Sequence, residues 1–378
     1  MVSKTEIARR MQAIRTAMEV EGLEALVVCG TEYTGFEGAV RYVSGFEIVH
    51  RHVCVLIELD RNPHLIFPAE ARWIGDKKKP WVRDHIWADI PGDWIRQYLE
   101  GRGIKKLGVY GLDYVMTVKD FRAISKGSFQ VIPFDLQFDL ARAVKSEEEL
   151  VGVRNSMKII EKGFWKLLEK YEPGMTEAEI MAPAVECFFA GGAGPRMMNI
   201  VLSGTDGQAE AHFKVPGGRV VNADDLLLYS LEVTAEEGYW VEFSRPVIRG
   251  ELSEVSDAMK EIYPEAMEAA RSVMREGELA STVHRAGAEV LAKHGFELGH
   301  LTGHSIGMTM LEYPAIGSSV DIELKENMVI SYHPQVVDQE GTVCLYTQDT
   351  FRVGQQAGEN LTEIPWQLYR GGELPPNG

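Results

Sequence analysis

Apolar residues recur at helical spacing over residues 5–21, where Ile7, Met11, Ile14 and Met18 line one side. The stretch that follows, LEALVVCG from Leu23 to Gly30, is short and almost wholly apolar, which predicts a buried strand. HVCVLIEL, HLIF and KKLGVYG read as further strands. Residues 1–143 therefore alternate helix and strand, the pattern of a small α/β domain, and a boundary falls near Phe134–Ala143. The periodicity then lengthens. KSEEELVGVRNSMKIIEKGFWKLLEKYEPGM predicts a long amphipathic helix, opened by a capping box of Ser146 and Glu149 and stopped by Pro173-Gly174. Thr176 and Glu179 open a second helix in the same way. From about residue 195 the texture turns to strands in MMNIVLSG, LLLYSLEV and GYWVEFSRPVI. Helices return over 252–275 and 280–294, and strands over 327–337 and 341–353. Helices beside a largely antiparallel sheet predict an α+β domain over residues 144–378.

Charge narrows the range of partners. The 378-residue chain carries a formal net charge of −17, which argues against nucleic acid and against an anionic membrane surface, since phosphate binding needs clustered Lys and Arg. The run Lys77-Lys78-Lys79 reads as a solvated loop. Neither a signal-peptide core at the N-terminus nor an apolar run long enough to span a bilayer is seen. Cys29, Cys54, Cys187 and Cys344 have no metal-type spacing and read as reduced thiols, so the expected location is the cytoplasm.

The chemistry collects in the second half. In order come AEAHF, GYWVEFSR, TGHSIG, and MVISYHP followed by YTQDT, after a linker helix DLARAVKSEEEL. Together these resemble the pita-bread superfamily of methionine aminopeptidase, aminopeptidase P, prolidase and creatinase. The two-domain members, with a creatinase-like N-terminal domain, are the best match. The resemblance implies a fold, an α+β pita-bread domain after a smaller α/β domain, and a site on the concave sheet, capped by the N-terminal domain of a second subunit in a homodimer. Metal-dependent members hold two metals with two Asp, one His and two Glu. Carried over position by position, the first Asp slot falls on Leu231, or on Glu232 or Ser230 with a one-residue shift, and the second on Glu242. The His slot is His304, and the two Glu slots are His333 and Gln348. A further active-site His becomes Leu311, followed by Glu312.

An intact dinuclear site is not expected from this set, because a divalent cation leaves water only for several anionic donors. The resemblance then implies a creatinase-like hydrolase that needs no metal or other cofactor and cleaves a C–N bond, amide or amidine, of a small polar substrate. His212, Glu242, His304 and His333 are its expected catalytic groups. Arg51, His50, Arg196, Glu312 and Gln348 are its expected substrate-binding groups. One alternative is a single-metal peptidase-like hydrolase or lyase, with one divalent ion on Glu242, His304 and His333. Another is a non-catalytic binding protein on the same fold.

Overall fold

The computed structural model describes residues 2–193, 197–207, 213–299 and 302–375. The chain forms two compact units. The first comprises residues 1–143 with a later excursion, Met308–Tyr313, and the second takes the remainder.

The first unit runs α1 (Lys4–Val20), β1 (Ala25–Gly30), α2 (Gly38–Ser44), β2 (Val53–Glu58), β3 (His64–Pro68) and β4 (Asp84–Ala88). It continues with α3 (Pro91–Arg102), β5 (Lys106–Tyr110), α4 (Val118–Ile124), β6 (Gln130–Pro133) and α5 (Asp135–Ala143). Ser3 caps α1 by accepting from the Glu6 amide, and Ile14 and Met18 of its apolar stripe are fully buried. One six-stranded sheet has the order β4-β3-β2-β1-β5-β6. Its central strand β1 is buried along its whole length, antiparallel to β2 and parallel to β5, which is why its sequence is apolar without alternation. The excursion fits tightly here: a Cβ on Gly38 would lie 1.8 Å from the Met308 carbonyl oxygen.

The second unit opens with α6 (Glu147–Lys170) and α7 (Glu177–Ala190). Both expected capping boxes form, through Ser146 with Glu149 and Thr176 with Glu179. Strands β7 (Met197–Gly204), β8 (Leu226–Thr234), β9 (Trp240–Phe243) and β10 (Val247–Ile248) come next, then α8 (Glu254–Ser272) and α9 (Ala280–Lys293). The remaining strands are β11 (Phe296–Leu298), β12 (Gly303–Ser305), β13 (Glu312–Ile316), β14 (Val329–Tyr332), β15 (Gln335–Asp338), β16 (Cys344–Tyr346), β17 (Asp349–Arg352), β18 (Glu359–Asn360) and β19 (Tyr369–Arg370). One sheet has the order β19-β10-β8-β7 with β9 on β8, and another β13-β12-β14-β17-β18. Ser244 and Gln348 exchange backbone hydrogen bonds of 3.0 and 3.2 Å, joining the end of β9 to the start of β17. Among the described residues no helix is long and apolar enough to cross a membrane.

Candidate active site

Strand alternation decides which residues of β8 and β9 share a face. The two strands are antiparallel, with Glu232 opposite Glu242 and Leu231 opposite Phe243. Leu231 and Phe243 are fully buried apolar residues on one face. Ser230, Glu232 and Glu242 lie on the other, the Ser230 hydroxyl 2.8 Å from Glu232 Oε1. The residue facing Glu242 is therefore Glu232, the one-residue shift, while Leu231 lies on the opposite face.

Strands β12, β14 and β17 bring up the other groups. His304 on β12 lies opposite Ser331 on β14, which lies opposite Thr350 on β17. His333 follows β14, its amide donating to the Thr302 carbonyl at 2.8 Å. The imidazoles of His304 and His333 are 5.3 Å apart between centroids. Donor atoms of Glu242, His304 and His333 all lie within 4.8 Å of one another. All three residues are buried.

Hydrogen bonding prepares this trio for a cation. His304 Nδ1 is 3.0 Å from the Ser305 carbonyl oxygen, which can only accept, so Nδ1 carries a proton and Nε2 is the nitrogen turned toward the site. His304 Nε2 faces Glu242 Oε1 at 3.6 Å. The other oxygen of Glu242, Oε2, accepts from both the Ser331 hydroxyl and the Gln348 amide nitrogen. Thr350 Oγ1 fixes the backbone at the same point, accepting from the Glu242 amide at 3.0 Å and donating to its carbonyl at 2.9 Å. A carboxylate oxygen and a ring nitrogen at this separation are both atom types that ligate a positive ion. Two imidazoles and a carboxylate are the donor types of single-ion catalytic sites, and three protein donors leave coordination positions open. The residues present thus fit one divalent cation.

Glu232 stands beside this seat in a different state. Burial, followed by the charge of Glu242, pushes its carboxyl well above the usual carboxylate range, with only the Ser230 hydroxyl acting the other way. Its Oε2 is buried and has no hydrogen-bond partner among the described residues. Tyr346 completes the wall: its ring packs 4.8 Å from Phe213 and 6.4 Å from His333. Burial and the two glutamates raise its hydroxyl far above the ordinary phenol value. Ser331 and Tyr346 were not among the expected site residues, and Glu232 and Ser230 entered only as one-residue shifts from Leu231. Antiparallel pairing through a short turn is the signal that finds Glu232 and Ser230.

The remaining expected residues are elsewhere. Glu312 is buried in the first unit, 3.1 Å from the Arg142 guanidinium, so its carboxylate is committed to that ion pair. Leu311 beside it is half exposed. Arg51 has a left-handed backbone, φ 69°, with Nε 3.9 Å from Glu70, and is half exposed. His50 Nδ1 lies 3.7 Å from Glu32. His212 and Arg196 lie outside the described residues.

Comparison with known proteins places this geometry. The profile described as metallopeptidase family M24 matches residues 152–355, and that of the creatinase/prolidase N-terminal domain matches residues 10–144. An Xaa-Pro dipeptidase of Pyrococcus horikoshii is 23% identical over 278 residues, covering 70% of this chain and 75% of the relative. The Xaa-Pro dipeptidase of Pyrococcus furiosus is 25% identical over 272 residues, covering 71% and 76%. Among solved structures, an X-Pro aminopeptidase from Thermotoga maritima superposes with a TM-score of 0.81 at 24% identity, over 95% of this chain and 99% of its own. The prolidase from Pyrococcus horikoshii OT3 gives 0.81 at 20%, over 94% and 99%. At such identities the superpositions speak to the fold, which is the pita-bread fold with a creatinase-like N-terminal domain.

These findings overturn two expectations. A creatinase-like hydrolase independent of metal, and a site without any cofactor, both conflict with relatives that are Xaa-Pro dipeptidases and with a matching profile that is a metallopeptidase's. A neutral donor can still ligate: His333 offers a ring nitrogen within 4.8 Å of the donor atoms of Glu242 and His304. With its profile matched across the larger part of the sequence and the fold shared end to end, this chain belongs to metallopeptidase family M24.

Proposed function

We propose that the protein is a single-cation, peptidase-like hydrolase that cleaves the amide bond of a small dipeptide-like substrate. The observation that carries this is the convergence of Glu242 Oε1 and two imidazoles within 4.8 Å, with His304 Nδ1 tied to a carbonyl and Nε2 turned inward. The names of the relatives, Xaa-Pro dipeptidases, support a dipeptide over a guanidino or amidine substrate. Glu242, His304 and His333 would hold the ion. A divalent ion so held supplies Lewis-acid polarisation of the scissile carbonyl.

The side chains divide the remaining work. Ser331 and Gln348 hold Glu242 by one oxygen and so aim the other. A water molecule would add to the scissile carbonyl carbon, and the Glu232 carboxyl, pushed well above the usual range, can pass its proton to the substrate nitrogen as the C–N bond breaks. Tyr346 stays a neutral phenol throughout. Phe213 and Tyr346 pack as neighbouring rings along one side of the site. We place the enzyme in the cytoplasm as a homodimer, a state that light scattering at micromolar concentration tests.

Activity decides the main reading. Chelation should abolish hydrolysis of a panel of Xaa-Pro dipeptides, and one divalent cation should restore it. Glu242→Gln should lower turnover by about two orders of magnitude or more, as loss of a ligand or of acid–base assistance does. Full activity after exhaustive chelation would remove the reading.

A further inference from the structure

Two buried carboxylates, Glu232 and Glu242, face each other across β8 and β9. Among the described residues neither is paired with a Lys or Arg side chain. The nearest buried guanidinium, Arg245, is engaged with Asp349 at 2.8 Å. A neutral bridge spans the pair instead. Gln348 donates from Nε2 to Glu242 Oε2, and its Oε1 accepts from the Ser230 hydroxyl. That hydroxyl is also 2.8 Å from Glu232 Oε1. The backbone beneath the bridge is pinned three times: the Gln348 amide donates to the Ser244 carbonyl, and its carbonyl accepts from the Ser244 amide and from Arg245 Nη1 at 3.0 Å.

We propose that Gln348 sets the cation stoichiometry of this site at one. Its carboxamide occupies, as a hydrogen-bonded bridge, the ground between Glu232 and Glu242 that a second cation would need. This rests on the reading above, in which Glu242, His304 and His333 hold the first. The reason is both steric and electrostatic. An N–H directed at Glu242 Oε2 uses the lone pair that a bridging ion would take. A neutral amide also adds no charge to offset the hydration a divalent ion gives up on entering a buried site. Glutamate has the same length and shape as glutamine, with acceptors at both ends. At position 348 it would bring three carboxylates together without moving the backbone.

The test counts metal and does not depend on turnover. Wild type and Gln348→Glu are stripped with chelator, saturated with Mn2+ or Zn2+ in parallel and desalted. Each is then assayed by elemental analysis, with calorimetric titration as the independent count. The expected result is one ion per chain in wild type and two in Gln348→Glu. Glu232→Gln is the second variant, needed if Gln348→Glu does not fold, and it should retain one ion with affinity within about tenfold of wild type. Two ions in wild type would overturn the proposal, as would a folded Gln348→Glu that still holds one. A hundredfold loss of affinity in Glu232→Gln would overturn it too, since the ion would then sit between the glutamates. Wild type binding no ion at all would instead remove the reading on which the proposal rests.

Discussion

The two oxygens of Glu242 keep different company, and that asymmetry is the smallest unit of the site. Oε2 takes hydrogen bonds from Ser331 and Gln348, while Oε1 faces Nε2 of His304 at 3.6 Å. Ser331→Ala should leave the fold intact and free the carboxylate to rotate. Loss of such a supporting hydrogen bond weakens metal affinity by roughly 10- to 100-fold. Calorimetric titration of the stripped protein checks this, and an unchanged affinity would show that strand geometry alone aims Glu242. At this scale the sequence was partly legible. Glu242, His304 and His333 stand out because each lies in a short motif with fixed spacing. Glu232 was obscured because spacing counts residues, whereas a hairpin aligns partners across a turn. Counting put Leu231 at the expected position, whereas the pairing places Glu232 opposite Glu242.

Among elements, the junction of β9 and β17 carries the most structure in the fewest residues. Arg245, fully buried, donates to Asp349 at 2.8 Å, to the Gln348 carbonyl at 3.0 Å and to the carbonyls of Ile364 and Pro365 at 2.6 and 2.9 Å. Asp349 also accepts from the Trp366 indole at 2.9 Å. One guanidinium thus ties the end of β9, the start of β17 and the 364–366 segment together behind the site. Arg245→Ala leaves Asp349 buried and unpaired, which costs about 3–5 kcal/mol in comparable cases. Urea denaturation should register that loss, and a change below about 1 kcal/mol would mean the junction is held by its backbone alone. The capped helices and apolar strands were legible here because their signals are local: a Ser or Thr three residues before a Glu, a run of branched apolar residues. The return of residues 308–313 to the first unit was not, since the tight contact with Gly38 joins residues far apart in sequence.

For the molecule as a whole, stability should carry a pH signature from the first unit. Asp139 is buried beside Arg142, with its Oδ1 2.7 Å from Nη2, and it accepts from the Tyr313 amide at 3.1 Å. Burial raises its carboxyl to about 6 against the pull of Arg142, with Glu312 adding to the rise. The unfolded carboxyl loses its proton near pH 4. Between those values the folded chain holds a proton the unfolded chain does not. This group's contribution is therefore full below about pH 4 and is lost as pH rises through about 6. Asp139→Asn should flatten the fall in stability between pH 4 and 6. Urea midpoints at several pH values in that interval compare the two chains, and parallel curves would place the titration elsewhere. The division into an α/β first unit and an α+β second unit was legible in the change of periodicity, because each unit buries its own apolar pattern. The acidity of the chain, a net charge of −17, says nothing of the two imidazoles at its centre.

The central claim is one divalent ion held by Glu242, His304 and His333. An anomalous difference map from crystals of the zinc-loaded protein, collected on both sides of the zinc edge, tests it most directly. The account predicts a single peak per chain, about 2 Å from Glu242 Oε1 and from one nitrogen of each histidine. No peak at that point, or a peak lying between Glu232 and Glu242 away from both imidazoles, would contradict it.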